Sequence, residues 1–305
     1  MIDLGPGGTV AVVDVGGTDI KTAVLCANGQ LMDIQHQPTP RGPDAAETIM
    51  SIAGQHADHT RATQGDLASI GLIVPGIVDA GRGVAVFSEN LNWHDVPFRR
   101  RVAQATGIPV GFGHDVATAG WAEVTFGAAR GVADVAVLVV GTGVAAALYS
   151  NTMPVLSGGW AGEIGHSIVD SAGPACQCGA RGCLEALASS AAIARRYSER
   201  SGTTVTGSRE VLRRRNNGDL VAAQVWDEAI AALAIGIRQL AATLSPRVVV
   251  IGGGLSLAGS DLLAPLNRAI AETVPPHRVP EIRQASIGVY AGLVGAAMLG
   301  REVQR

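Results

Sequence analysis

Short apolar runs alternate with glycine-rich turns and with polar stretches of helical periodicity along this chain of 305 residues. Apolar runs bounded by turn residues predict buried strands, whereas apolar positions spaced three and four residues apart predict helices. In the first half, this pattern predicts strands over residues 9–15, 20–26, 31–37, 68–74 and 110–113, and helices over 43–63, 96–106 and 117–126.

The second half repeats the opening of the first half in outline. A buried strand over 133–140 is followed by a Gly-Thr-Gly turn and by a second strand over 144–149. Two such openings, each followed by mixed strands and helices, predict two related α/β domains around a cleft. We expect a smaller N-terminal domain over 1–115 and 289–305, and a larger domain over 116–288. The remaining predicted elements are helices over 184–199, 209–216, 219–244, 260–272 and 289–302 and a strand over 248–251.

Composition narrows the class of protein. Hydrophobic residues make up 47% of the chain and charged residues 16%, which suffices for a large core in two domains. The net charge of −3 and the absence of a basic block argue against a nucleic-acid binder. No unbroken apolar run reaches membrane-spanning length and the N-terminus does not resemble a signal peptide, so we expect a cytoplasmic protein without a membrane partner.

The densest chemistry lies in residues 162–185, GEIGHSIVDSAGPACQCGARGCLE. Cys176, Cys178 and Cys183, with His166 upstream, match the ligand set of a closed tetrahedral zinc site. Glu163 and Glu185 flank these residues, so the segment predicts a zinc knuckle that places polar groups around a ligand. A structural zinc with no role in a site, or free thiols in a loop, are the alternatives.

Three glycine-rich turns follow strands and are candidates for nucleotide contacts. In the first, Asp14 ends a strand and Gly16, Gly17 and Thr18 form a turn that can hold a phosphate, with Asp14 as a Mg²⁺ ligand. An ordinary hairpin is the alternative for this turn. No Walker-type or dinucleotide-binding glycine motif is present. The other two turns are Gly141-Thr142-Gly143, for a second phosphate contact, and Gly252-Gly253-Gly254, for adenine or ribose.

One further acid stands between a predicted strand and a predicted helix. Asp115 follows His114 at this junction, where a carboxylate commonly caps the helix. A carboxylate in the same place can also accept a proton from a substrate hydroxyl. The local pattern alone favours the cap.

Taken together, these motifs resemble the ROK family of bacterial sugar kinases and related repressors, over about residues 9–300. The resemblance implies the actin-like superfold, with two ribonuclease H-like α/β domains flanking a cleft, and a structural zinc knuckle. The motifs that carry it are DVGGTDIK (14–21), VGTGV (140–144), GEIGH (162–166), CQCGARGCLE (176–185) and VVVIGGGLS (248–256).

The resemblance also implies roles for single residues. Asp115 would be the general base for a sugar hydroxyl, and zinc on one ring nitrogen of His166 would leave the other nitrogen for the sugar. The implied cofactors are ATP, Mg²⁺ and Zn²⁺, and the implied assembly is a homodimer. The sugar contacts would be Gly76, Asn90, His114, Asp115, Glu163, His166 and Glu185. The nucleotide contacts would be Asp14, Gly16, Gly17, Thr18, Lys21, Gly141, Thr142, Gly143, Gly253 and Gly254.

The resemblance implies an ATP-dependent kinase for the 6-hydroxyl of a hexose, with glucose as the leading substrate. Family repressors carry a DNA-binding domain ahead of the first phosphate strand, and only eight residues precede Thr9 here, which favours the kinase branch. An N-acetylmannosamine or N-acetylglucosamine kinase and a non-catalytic sugar-binding protein are the alternatives, and the phosphate donor is ATP or polyphosphate. His114 replaces the asparagine that the family commonly has there, which leaves the identity of the sugar open.

Overall fold

Thirteen strands and nine helices, together with short 3₁₀ turns, make up the part of the chain that this computed structural model describes, residues 3–271 and 278–305. The strands are β1 Val10–Val15, β2 Asp19–Leu25, β3 Leu31–Pro38, β4 Ser69–Val74, β5 Ile77–Asp79, β6 Val84–Ser88, β7 Trp93–Val96, β8 Val110–His114, β9 Val135–Val140, β10 Val144–Ser150, β11 Met153–Pro154, β12 Val248–Gly252 and β13 Glu281–Gln284. The helices are α1 Ala45–Gln64, α2 Phe98–Thr106, α3 Asp115–Phe126, α4 Leu184–Ala188, α5 Ser190–Ser201, α6 Ser208–Asn216, α7 Leu220–Thr243, α8 Ser260–Ala271 and α9 Ala291–Glu302.

Two five-stranded mixed sheets share one topology. The first has the order β3-β2-β1-β4-β8 and the second has the order β11-β10-β9-β12-β13. In each sheet, three strands form an antiparallel meander, a fourth strand pairs in parallel with the first strand of the meander, and the fifth pairs in parallel with the fourth. The predicted α/β class and the predicted repeat of the opening strands are therefore confirmed.

The chain divides into two compact units. Unit 1 comprises Met1–Phe126, Leu156–Ala161 and Tyr290–Arg305, and unit 2 comprises Gly127–Val155 and Gly162–Val289. The expected boundary after residue 115 differs from this division, because α3 packs on α9 within unit 1. The helix α9 also packs on β1, β4 and β8, so the end of the chain returns to the first sheet and covers its apolar face.

Several local features differ from the sequence predictions, and one predicted boundary lies outside the described residues. The helix predicted over 184–199 is broken at Ser189, which is extended and whose hydroxyl accepts the N–H of Ala192 as the cap of α5. The small antiparallel sheet β5-β6-β7 was not predicted, because its strands are short and glycines interrupt the apolar pattern. The helix predicted over 260–272 corresponds to α8, and residue 272 lies outside the described part of the chain.

Helix α7 supplies the centre of the unit 2 core. It is long enough and apolar enough to cross a membrane by composition, but more than half of its most apolar window is buried inside the protein. Trp226, Leu233 and Ile237 on this helix are almost fully buried against the strands of the second sheet and the neighbouring helices. Asp219 caps its start by accepting the N–H of Ala222 at 3.0 Å. We therefore describe α7 as a core helix.

Candidate active site

The carboxyl ends of parallel strands in unit 1 bring two acids to one edge of the sheet. Asp14 on β1 pairs with Ile73 on β4, and Ile73 pairs with Gly113 on β8, so Asp115 follows at the same edge. Ligands of open α/β sheets bind at this kind of edge, outside the carboxyl ends of the strands. The sheet order therefore places the predicted magnesium ligand and the predicted general base two strands apart.

Asp14 is almost fully buried at this edge. Burial raises its pKa from 3.8 to about 6, an effect that Lys21 opposes and that the charge of Asp115 reinforces. The Nζ atom of Lys21 lies 3.6 Å from Oδ2 of Asp14. A buried carboxylate with a raised pKa gains when a cation binds it, so its environment suits a Mg²⁺ ligand.

Asp115 is the first residue of α3, where the helix dipole favours a negative charge. Its Oδ1 accepts the N–H of Val116 at 2.7 Å. The cap predicted for Asp115 is instead made by His114, whose Nδ1 accepts the N–H of Ala117 at 3.2 Å. Nε2 of His114 lies 3.1 Å from Oδ1 of Asp115. An imidazole that accepts at Nδ1 carries its proton on Nε2, so the neutral ring turns a donor toward the carboxylate.

The first glycine turn, Gly16-Gly17-Thr18, is held on one side by residues that no sequence motif identifies. Thr39, just after β3, donates its N–H to the carbonyl of Thr18 at 3.0 Å and its hydroxyl to the carbonyl of Gly16 at 2.7 Å. The side chain of Arg41 donates to the carbonyl of Gly17 at 2.6 Å. No motif signals these contacts in the sequence, because the partners are more than twenty residues apart.

The two other predicted sugar residues of unit 1 lie around the small sheet. Gly76 precedes β5 and has a φ of +96°, and a Cβ there would meet the carbonyl of Phe87. The close approach that requires glycine at this position is therefore to the backbone of β6. Asn90 lies exposed in the loop between β6 and β7.

Unit 2 contains the predicted cluster of metal ligands. The ligand atoms of His166, Cys176, Cys178 and Cys183 all lie within 4.8 Å of one another. The sulfurs of Cys178 and Cys183 are 3.6 Å apart, and Nδ1 of His166 lies 3.7 Å from the sulfur of Cys176. A tetrahedral site with zinc–sulfur bonds of about 2.3 Å has edges of about 3.8 Å, so the arrangement fits zinc.

The pKa values of these thiols indicate which kind of metal the cluster suits. Burial raises the pKa of Cys183 to about 12 and raises that of Cys176, while a backbone hydrogen bond from Ala180 lowers the pKa of Cys178. Thiols with raised pKa values stay protonated at neutral pH unless a metal displaces the protons. The donor set is therefore suited to a metal that binds thiolates tightly.

The imidazole of His166 has one ring nitrogen near a sulfur and the other near a carboxylate. Nε2 lies 3.9 Å from Oε2 of Glu163, so the two predicted sugar contacts are neighbours. His166 is the last residue of the 3₁₀ turn Ile164–His166, and Glu163 directly precedes that turn. With Nδ1 on the metal side, Nε2 is the ring atom available to a ligand hydroxyl.

Glu185 connects the segment of the cysteine cluster to the second glycine turn, Gly141-Thr142-Gly143. Its Oε2 accepts the N–H of Val144 at 2.9 Å, directly after Gly143. A Cβ on Gly143 would stand only 2.5 Å from that oxygen, so the turn needs glycine for the carboxylate to approach. The N–H of Ser190 donates to the carbonyl of Gly141 at 2.8 Å, which ties the other end of the turn to α5.

The third predicted turn follows β12 in unit 2. Gly253 has a φ of +76° and packs against the carbonyl of Val140 at the end of β9, whereas a Cβ on Gly254 would meet no atom within 4 Å. The second and third glycine turns therefore follow adjacent parallel strands of one sheet, and the backbone beside Gly254 is open to a ligand.

A family model for the ROK family matches residues 10–303. The chain belongs to the ROK family. This ROK chain is 32% identical to a glucokinase of Halalkalibacterium halodurans, over 95% of its own length and 94% of the relative. It is 31% identical to an N-acetylmannosamine kinase of Shigella flexneri, over 96% of its length and 98% of the relative.

The α/β fold with mixed sheets is also that of solved ROK kinase structures. The ROK family glucokinase of Streptomyces griseus in complex with glucose and AMPPNP matches with a TM-score of 0.85 and 28% identity. The match covers 97% of the ROK chain and 100% of that structure. The family resemblance read from the motifs is thus confirmed.

Proposed function

We propose that this ROK protein is an ATP-dependent kinase that phosphorylates the 6-hydroxyl of a hexose, with glucose as its preferred substrate. The observation that carries the proposal is the placement of Asp115 at the same sheet edge as Asp14 and the first glycine turn. Full-length similarity to a glucokinase, and a shared fold with a glucokinase that binds glucose and AMPPNP, support the same substrates.

In the proposed reaction, Asp115 accepts the proton of the sugar 6-hydroxyl as that oxygen attacks the γ-phosphorus of ATP. The new bond joins the sugar oxygen to phosphorus, and the bond from phosphorus to the β,γ-bridging oxygen breaks to release ADP. Because Oδ1 of Asp115 is engaged by Val116, Oδ2 is the oxygen that takes the proton. Backbone N–H groups of the glycine turns would stabilise the phosphate charge, with Lys21 beside them.

The two metals have separate proposed places. Asp14 would hold Mg²⁺, directly or through water, and this ion supplies charge neutralisation on the phosphates when bound. His166, Cys176, Cys178 and Cys183 would hold Zn²⁺, which orients the imidazole of His166.

We assign the remaining ligand contacts by the same resemblance. Asn90, Glu163, His166 and Glu185 would bind sugar hydroxyls, with Gly76 and His114 shaping the pocket. The nucleotide would contact Gly16, Gly17, Thr18, Gly141, Thr142, Gly143, Gly253 and Gly254. We further propose a cytoplasmic location, since thiols that serve as metal ligands suit a reducing compartment. The homodimer is proposed from the family resemblance.

An N-acetylhexosamine kinase is the second candidate. It is favoured by the 31% identity to an N-acetylmannosamine kinase and by His114, whose larger ring changes the shape of the pocket beside Asp115. A coupled assay of ADP release distinguishes the candidates when it compares glucose, mannose, N-acetylglucosamine and N-acetylmannosamine, and it shows whether polyphosphate replaces ATP as the donor. Xylose, which has no 6-hydroxyl, is the matched control and should release no ADP.

The general base is tested by the variant Asp115→Asn. Turnover should fall by about 10²- to 10⁴-fold, the usual contribution of general-base catalysis, while glucose still binds. Asp58→Asn, on the exposed face of α1, is the matched control and should keep its activity. Wild-type turnover in Asp115→Asn would exclude the proposed base, and sugar binding without any ADP release by the wild type would favour a non-catalytic sugar-binding protein.

A further inference from the structure

Two residues just after β3 donate hydrogen bonds to all three carbonyls of the first glycine turn, Gly16-Gly17-Thr18. Thr39 bonds the carbonyls of Gly16 and Thr18, and Arg41 bonds the carbonyl of Gly17 between them. In a planar trans peptide, the N–H that follows a carbonyl points to the opposite side. Holding the carbonyls on one side therefore directs the amide N–H groups of Gly17 and Thr18 to the other side, where they can face an anion.

Arg41 has a second contact, which lies in the proposed sugar loop. Its Nη1 donates to the carbonyl of Asn90 at 3.1 Å, while its Nη2 donates to the carbonyl of Gly17 at 2.6 Å. A guanidinium group is planar and rigid, so two carbonyls bonded to its two terminal nitrogens are held at a fixed separation. One side chain thus spans the phosphate turn and the loop that carries Asn90, within unit 1.

We propose that Arg41 is a positioning residue that couples sugar binding to nucleotide binding. A sugar that orders the Asn90 loop also fixes the guanidinium, and the guanidinium fixes the carbonyl of Gly17. By thermodynamic linkage, a nucleotide on the turn then strengthens sugar binding by the same factor. Arg41 itself touches neither the transferred phosphate nor the sugar in this account. The inference rests on the proposed function, because it takes Asn90 as a sugar contact and Gly17 as a nucleotide contact.

The test is the affinity of AMPPNP, measured by calorimetry without sugar and with saturating glucose. In the wild type, glucose should tighten AMPPNP binding by a factor in the usual range for coupled sites, about 5- to 150-fold. In Arg41→Ala this factor should fall close to one. Arg41→Lys should behave like Arg41→Ala, because an ammonium group cannot bridge two carbonyls in a fixed geometry. Added methylguanidinium should restore part of the coupling in Arg41→Ala only.

Arg61→Ala is the matched control for loss of one positive charge, since Arg61 lies on the exposed side of α1 in the same unit. It should keep the wild-type coupling factor. If Arg41→Ala fails to fold, the coupling factor measured for Arg41→Lys alone decides whether Arg41 has this role. Wild-type coupling in a folded Arg41 variant, alongside normal hexose turnover by the wild-type enzyme, would overturn the role of Arg41 and leave the proposed function intact. A wild type that binds neither glucose nor AMPPNP would overturn both.

Discussion

At the scale of single residues, Asp14 and Asp115 of unit 1 show how different surroundings give two carboxyl groups different properties. Asp14 is buried on a central strand and its pKa rises to about 6, whereas Asp115 begins a helix and has a backbone N–H on one oxygen. The first environment favours cation binding, and the second keeps a carboxylate oriented toward a substrate. The two carboxylates therefore suit the separate roles that we propose for them.

The buried carboxyl of Asp14 should make stability depend on pH. Its pKa is about 6 in the folded protein and 3.8 in the unfolded chain, so the folded state binds the extra proton between these values. The contribution is present below pH 3.8 and is lost as the pH rises through 6, at a cost of about 3 kcal/mol from 1.36 kcal/mol per pKa unit. In urea unfolding without Mg²⁺, wild type should therefore lose stability relative to Asp14→Asn between pH 4 and pH 7.

The control for this measurement is Asp44→Asn, an exposed acid before α1. It removes one carboxyl of the same unit and leaves Asp14 in place, so the pH dependence attributed to Asp14 should remain. A difference between wild type and Asp14→Asn that does not change with pH would show that the carboxyl of Asp14 is not desolvated in the folded protein.

At the scale of elements, hydrogen bonds join the segment of the cysteine cluster to the second glycine turn. Cys183 precedes α4, whose first turn carries Glu185, and Glu185 binds the backbone that follows Gly143. The N–H of Leu184 donates to the carbonyl of Ser167, directly after His166. A disturbance of the sulfur cluster should therefore reach both the proposed sugar contacts and the glycine turn.

Cys178→Ser tests this connection. The variant should lose zinc, as measured by metal analysis, and its affinity for glucose should fall by up to about tenfold, the effect of one lost hydrogen bond to the imidazole of His166. Affinity for AMPPNP should fall as well, because Glu185 is displaced together with the segment that follows Cys183. Cys26→Ser, outside the cluster, is the matched control. Unchanged glucose affinity in metal-free Cys178→Ser would separate the metal from the sugar contacts.

At the scale of the whole molecule, the two units have equivalent sheets but different additions. Unit 1 carries the small β5-β6-β7 sheet with the loop of Asn90, and unit 2 carries the cysteine segment and the helices α4–α8. The equivalent turns after β1 and β9 are the proposed phosphate contacts in both units. The shared topology thus supplies the nucleotide turns together with His114 and Asp115 at the end of β8, and the additions supply the proposed sugar contacts Asn90, Glu163, His166 and Glu185.

Ligand binding should be visible in the stability of the intact protein. A ligand at a hundred times its Kd stabilises the folded state by about 2.7 kcal/mol, so glucose should raise the melting temperature by a few degrees. AMPPNP with glucose should raise it further than either ligand alone. A thermal-shift series over hexoses and N-acetylhexosamines then identifies the sugar. A shift with AMPPNP but with no sugar of the series would contradict a hexose or N-acetylhexosamine site.

Much of the architecture follows from the sequence because it depends on local patterns. Apolar runs bounded by glycine turns are enough to locate β1, β2, β4, β8, β9 and β12, and the family motifs locate the glycine turns and the cysteine cluster. The short strands β5–β7 and the break at Ser189 have patterns too short or too ambiguous to read.

The order of residue types in the sequence by itself determined the α/β class, the family and the four residues that form the histidine-cysteine cluster. Only the tertiary structure decided that His114 rather than Asp115 caps α3. It also decided that Glu185 accepts a hydrogen bond from the backbone directly after the second glycine turn, and that Arg41 bridges the carbonyls of Gly17 and Asn90. The physical reason is that a hydrogen bond requires atoms about 3 Å apart in a suitable direction. Residues far apart in the chain acquire that geometry only when strands and helices pack.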